Sequence, residues 1–143
     1  MLEKGSENKY SPSHIGIIGV FYVCYELSKR GWIALPTTRN TKGVDIVIYN
    51  SFNPKQFYTI QVKTLTGKNP VPFGSNPQLF ADFVIIVRNI FDKPEVFILR
   101  SDEVKNKLAK NEKNGRISYW LSPKEYEEFK DNWSVLSINT GER

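Results

Sequence analysis

Residues 39–64 read RNTKGVDIVIYNSFNPKQFYTIQVKT. The segment divides into two apolar strands, residues 44–49 and 57–64, joined by a turn centred on Asn53-Pro54. Each strand carries polar residues where burial favours apolar ones: Asp45 in the first, Gln61 and Lys63 in the second. A carboxylate, an amide and an ammonium inside strands are costly unless they satisfy one another or hold a ligand. If the hairpin folds symmetrically about residue 53, paired numbers sum to about 106, and Asp45 lies opposite Gln61. Side chains alternate with period two, so Gln61 and Lys63 share a face and the pairing adds Asp45 to it. A one-residue slip would undo this convergence.

The rest of the chain bounds what that cluster can do. With 143 residues, 24% charged and 13% aromatic, it is long enough for a real core and too apolar for a disordered chain. The expected organisation is a flexible stretch over residues 1–10 and a single domain over 11–143. No apolar run reaches the roughly 18–20 residues of a membrane span, and the N-terminus lacks an apolar signal core. A cytoplasmic protein with no membrane partner is the expectation. One cysteine, Cys24, and one histidine, His14, exclude intrachain disulfides, cysteine-rich zinc sites and multi-histidine metal centres. Cys24 reads as a small core residue and His14 as a structural one, with a phosphate contact as its alternative.

The formal net charge is +5, and it is unevenly spread. Residues 29–100 hold ten Lys/Arg against four Asp/Glu, whereas residues 1–28 carry −1 and residues 101–143 are neutral. The basic excess surrounds the odd polar residues, which points to a polyanionic partner, nucleic acid first.

Ser11-Pro12 opens a helix to about Arg30, with Ser11 as N-cap, Pro12 in the first turn and Gly31 as the stop. Its middle, IGIIGVFYVCYEL (residues 15–27), is apolar nearly all round and predicts a buried helix. Strands are expected at 32–38, 44–49, 57–64, 83–88 and 96–99. Residues 65–80 read as a long irregular, functional excursion. A short helix from Ser101 towards Lys110, an extended piece at 117–120, a capping box at Ser122-Pro123-Lys124-Glu125 opening a helix over 123–131, and a last short strand after Trp133 complete the order. The pattern is mixed α/β with a central sheet. There is no GxSxG, P-loop or Rossmann glycine pattern.

On residue chemistry alone, two readings stand. Asp45, the Gln61 amide oxygen and the Val62 carbonyl form a set suited to one hard cation such as Mg²⁺, with Lys63 beside it. Alternatively, Asp45 and Lys63 make a structural ion pair that Gln61 satisfies.

The ordered motifs GVDIVIYN (43–50) and IQVKT (60–64) resemble the PD-(D/E)XK superfamily, the restriction-endonuclease-like and Holliday-junction-resolvase-like nucleases. The family pattern is an aspartate opening one strand and an acidic or glutamine residue two before a lysine on the next. The run over residues 15–43 is also similar to the family's first helix and strand. The resemblance implies a restriction-endonuclease-like mixed sheet with an αβββ-αβ core and Mg²⁺- or Mn²⁺-dependent endonuclease activity on DNA through a metal-activated water. Asp45, Gln61 and Lys63 would be catalytic, and Asp45, Gln61 and Val62 the metal ligands. Arg39, Asn40, Lys42, Lys68 and Arg88 are the candidate phosphate contacts, and a homodimer is expected because cutting two strands needs two sites.

The sequence departs from the pattern at one place. Relatives commonly carry a glutamate after the helix glycine, and here Gly19 is followed by Val20. Glu26 lies about 120° round the helix from position 20 and does not replace it. The alternatives are a fold that binds nucleic acid without cutting it, or a protein-interaction domain with a structural Asp–Lys pair.

Overall fold

The computed structural model describes residues 9–38, 43–138 and 140. The protein is mixed α/β. A long helix α1 (Pro12–Lys29) leads into a three-strand antiparallel meander, β1 (Trp32–Pro36), β2 (Ile46–Asn50) and β3 (Asn53–Thr64). After a crossover that contains the two-residue strand β4 (Val71–Pro72), β5 (Phe83–Arg88) pairs parallel to β3, and β6 (Glu95–Arg100) pairs antiparallel to β5. The main sheet therefore runs β1-β2-β3-β5-β6. Helix α2 (Ser101–Lys107), a hairpin of β7 (Ala109–Lys113) and β8 (Arg116–Leu121), and helix α3 (Pro123–Tyr126) follow, with 3-10 turns at Glu127–Phe129 and Trp133–Leu136. Strands β4, β8 and β7 form a second, three-stranded sheet.

Each face of the main sheet has its own apolar core. Val23 and Leu27 of α1 pack with Ile46, Ile48, Ile60, Phe83, Ile85 and Val87 on one side. Val84, Ile86, Phe97 and Leu99 meet Val71, Val104, Leu121 and Tyr126 on the other. Covered on both sides, β5 is buried along its whole length, which is why FVIIVR carries no alternation. The chain's last turn straps the first core. The Trp32 Nε1–H donates to the Leu136 carbonyl at 2.8 Å, and the Arg30 guanidinium lies 3.9 Å from the Trp133 ring centre.

The expected N-cap is present: the Ser11 hydroxyl accepts the His14 N–H at 3.1 Å. The His14 ring stacks on Tyr10. Cys24 is half-buried against the core, and burial pushes its thiol pKa up, away from the reactive thiolate. Several expectations need correction. Helix α1 is buried on one stripe only, through Gly19, Val23 and Leu27, while Ile17, Phe21 and Tyr25 are 47%, 62% and 61% exposed. Among the described residues nothing covers that outer face, so its apolar composition does not report burial. Lys110 belongs to a strand because the Asn114-Gly115 turn, with both residues at positive φ, folds the lysine-rich segment into a hairpin. The capping-box helix closes after Tyr126, and the Ser122 side chain makes no cap bond. The stretch after Trp133 is a 3-10 turn, not a strand.

Candidate functional site: an open strand edge between two clefts

The hairpin register is the expected one, although its turn is not. Ile46 pairs with Ile60, Val47 with Thr59 and Ile48 with Tyr58. The turn lies at Ser51-Phe52, ahead of Asn53-Pro54. It is fixed by Asn50, whose side-chain oxygen accepts the Phe52 N–H at 2.8 Å and whose amide donates to Gln56 at 2.7 Å. A bulge at Tyr49/Asn50 then absorbs the offset, so the pairs beyond it recover the expected alignment.

Asp45 lies just before β2. Its backbone continues the ladder, with its N–H donating to the Ile60 carbonyl at 2.8 Å and its carbonyl accepting the Thr37 N–H at 2.9 Å. The Thr37 hydroxyl donates to the Val44 carbonyl at 2.7 Å, tying the approach down. The Asp45 carboxylate turns along β3, where Oδ2 accepts the Val62 N–H at 2.7 Å. Because β2 begins at Ile46, β3 has no strand partner there on its β2 side. Peptide groups two apart point the same way in a strand, so the Val62 carbonyl projects from this same open edge.

The expected convergence of Asp45, Gln61 and Lys63 on one face needs correction: Asp45 precedes β2, its carboxylate turns to the Val62 N–H, and the polar residues reach the edge from two sides. Asp45 and Val62 line a cleft against α1 together with Gly16, Ile17, Val20 and Phe21. Gln61 and Lys63, next to one another on the opposite face, line a second cleft with Phe73, Asn76, Gln78 and Phe80. This second cavity is about 320 Å³. Gln61 Oε1 is buried and has no hydrogen-bond partner. The Lys63 ammonium lies 4.7 Å from the Phe73 ring centre. Burial pushes the Lys63 pKa down, and the charge of Asp45 pulls it partly back. Within the described residues Lys63 has no carboxylate within ion-pair distance, so the direct Asp45–Lys63 salt bridge is not formed.

Gly19 sets the spacing between helix and strand. A Cβ there would collide with the Thr64 side chain, whose hydroxyl is buried without a partner. This close approach brings Val20 to the cleft that Asp45 borders. Gly43 borders the second cleft for a different reason: its φ of +65° favours glycine, while a Cβ there would meet the Phe80 ring only at the ordinary contact distance of 3.5 Å.

The phosphate candidates fare differently. Arg39, Asn40 and Lys42 lie outside the described residues. Lys68 is exposed and bridges Glu127 at 3.0 Å. Arg88 requires correction: at 9% exposure it is buried, bonded to Glu95 at 2.9 Å and Glu127 at 3.0 Å, and placed over the Phe97 ring. Its guanidinium is consumed inside the fold. A basic residue closing the apolar strand FVIIVR gives no sign in sequence of which carboxylates will claim it. Phe80, Asn76 and Gln78 escaped sequence reading for a related reason, since only their proline- and glycine-rich surroundings marked the loop.

The donor set can be weighed against Mg²⁺. Among the described residues no three His, Cys, Asp or Glu side chains come together. What remains is the Asp45 carboxylate and the edge-facing Val62 carbonyl at one cleft and the Gln61 amide oxygen in the other. Such a divided set suits a hard cation only at the open edge between the clefts, with most of its shell supplied by water and substrate oxygen. No family model matches the chain, and no curated protein or solved structure matches it significantly. Among the described residues no helix is long and apolar enough to cross a membrane.

Proposed function

We propose that this chain is a PD-(D/E)XK-like domain that hydrolyses phosphodiester bonds in DNA with the help of Mg²⁺ or Mn²⁺. The observation that carries the reading is Lys63: a half-buried lysine that, among the described residues, has no ion-pair partner, lies two residues from an amide oxygen without a hydrogen bond and is within the field of Asp45. A lysine kept in that state costs stability, which its contact with the Phe73 ring only partly offsets. The order of elements supports the same reading, with a helix, an antiparallel meander and a crossover to a strand parallel to the third.

Asp45, the Gln61 amide oxygen and the Val62 carbonyl are the groups that would hold the cation. When bound, Mg²⁺ neutralises phosphate charge and acidifies a coordinated water. The Val62 N–H fixes one oxygen of Asp45 and leaves the other for the ligand. Lys63 Nζ is placed to donate to a phosphate oxygen or, as the amine that burial favours, to accept a proton from the attacking water. Basic residues around the hairpin would supply the non-specific phosphate attraction.

Incubation of the full chain with supercoiled, linear and branched DNA plus Mg²⁺ or Mn²⁺ tests the proposal. Cleavage is expected, with a loss of about 10²-fold or more in Lys63→Ala. Failure to cut any substrate, or undiminished cutting by Lys63→Ala, defeats it. One observation favours a second reading, binding without cleavage: among the described residues Asp45 is the only carboxylate lining its cleft, and Val20 faces it from the helix. A Val20→Glu variant would add a carboxylate there. Activity appearing only in that variant would make the natural chain a binding module.

A further inference from the structure

The Lys63 cleft has a composition that the catalytic reading does not use. Among the described residues Lys63 is the only charged side chain lining it, and three amides (Gln61, Asn76 and Gln78) and two phenylalanines accompany it. One of the aromatics, Phe73, is buried under the Lys63 ammonium. The other, Phe80, is 58% exposed. An aromatic ring left in water beside a lysine is costly for a structural role, because it contributes little burial. Its position is nonetheless built: the loop that carries it packs at contact distance against Gly43, whose φ of +65° favours glycine there. The loop is tied down as well, with the Phe80 N–H donating to the Gln78 carbonyl at 3.0 Å and the Phe73 N–H donating to the Tyr119 carbonyl at 2.9 Å.

We infer that this cleft takes one unpaired nucleotide of the nucleic-acid substrate, stacked on Phe80 and held by its phosphate at Lys63, so that the substrate class is single-stranded or locally unpaired DNA. The inference rests on the nucleic-acid reading of the same site. Aromatic rings bind bases through their faces only when the bases have left the duplex stack. Side-chain amides pair with base edges by paired donor and acceptor contacts, and Asn76 and Gln78 supply such groups on the same loop as the ring. A cavity of about 320 Å³ falls within the size range of small-ligand pockets, roughly 300–1,000 Å³. It suits one base and not a duplex. Extruding a base is cheapest where pairing is already absent, so ends, flaps and branch points are preferred over intact duplex.

The experiment is equilibrium binding in metal-free buffer with EDTA at low salt, where cleavage plays no part. Fluorescein-labelled oligonucleotides are compared as single strand, duplex and duplex with a single-stranded flap. A 2-aminopurine base in the single strand reports stacking directly. The single strand and the flap are expected to bind more tightly than duplex, with quenching of 2-aminopurine. Phe80→Ala should weaken single-strand binding by roughly five- to a hundredfold, and Phe80→Trp should keep it. Phe80 is largely exposed, so both variants should melt with the parent. Equal affinity for duplex and single strand, or Phe80→Ala binding as the parent does, overturns the base cleft while leaving the nuclease reading standing. A chain that binds no nucleic acid in any form overturns both.

Discussion

At Gly19 a single hydrogen atom decides how close α1 comes to β3. The missing side chain is the space into which Thr64 projects, and the orphaned Thr64 hydroxyl is part of the cost of that closeness. Gly19→Ala should therefore destabilise the fold by about 1–3 kcal/mol, the usual range for overpacking. Thr64→Ala in the same chain should restore most of the loss. Urea denaturation of the two single variants and the double variant checks this as a coupling energy. Additive losses would show that helix and strand are not held apart by this pair. Nothing in the pattern Ile18-Gly19-Val20 announces such a contact. Gly16, three residues earlier on the same helix, has open space where its side chain would be.

Among the elements, the hairpin was the most legible and α1 the least. Strand positions follow from alternation and from the Asp45/Gln61 pairing, which depends only on relative register. The turn escaped because Asn53-Pro54 has stronger local turn chemistry than Ser51-Phe52, and the Asn50 side chain overrides it. For α1 the composition misled: an outer face bearing Ile17, Phe21 and Tyr25 looks in sequence like the inner face bearing Val23 and Leu27. Their substitution separates the two. Phe21→Ala should change stability by less than about 0.5 kcal/mol. Leu27→Ala, fully buried, should cost about 2–5 kcal/mol. Thermal melts distinguish the cases directly, and a large loss from Phe21→Ala would mean that the outer face is covered.

For the whole molecule, composition and element order gave the α/β class and the basic middle, but not which charges face outward. Arg88 is the plain example, since Glu95 across the β5–β6 hairpin and the distant Glu127 enclose it. The guanidinium of Arg88, helped by Lys130, holds the Glu95 carboxyl down to about 2. A carboxylate whose folded pKa lies below its unfolded value contributes stability that is fully present above the unfolded value and lost as pH falls through the folded one. The stability of the protein should therefore drop between about pH 4.5 and 2. Glu95→Gln should flatten that part of the profile in urea midpoints measured against pH. Arg88→Ala, which leaves Glu95 to Lys130 and Asn89 and removes the guanidinium from the Phe97 and Tyr126 rings, should cost about 1–3 kcal/mol at neutral pH.

The bond from the Val62 N–H to Asp45 has a use beyond orientation. Gln61 and Lys63 on either side lie in the ladder with β5, but the Val62 N–H depends on a single side-chain oxygen. Its proton thus exchanges with solvent whenever the carboxylate lets go, while the strand around it stays closed. In a nitrogen-labelled sample the Val62 resonance is a built-in gauge of the site. Its shift and exchange rate register a cation or a phosphate arriving at Asp45, before and apart from any turnover.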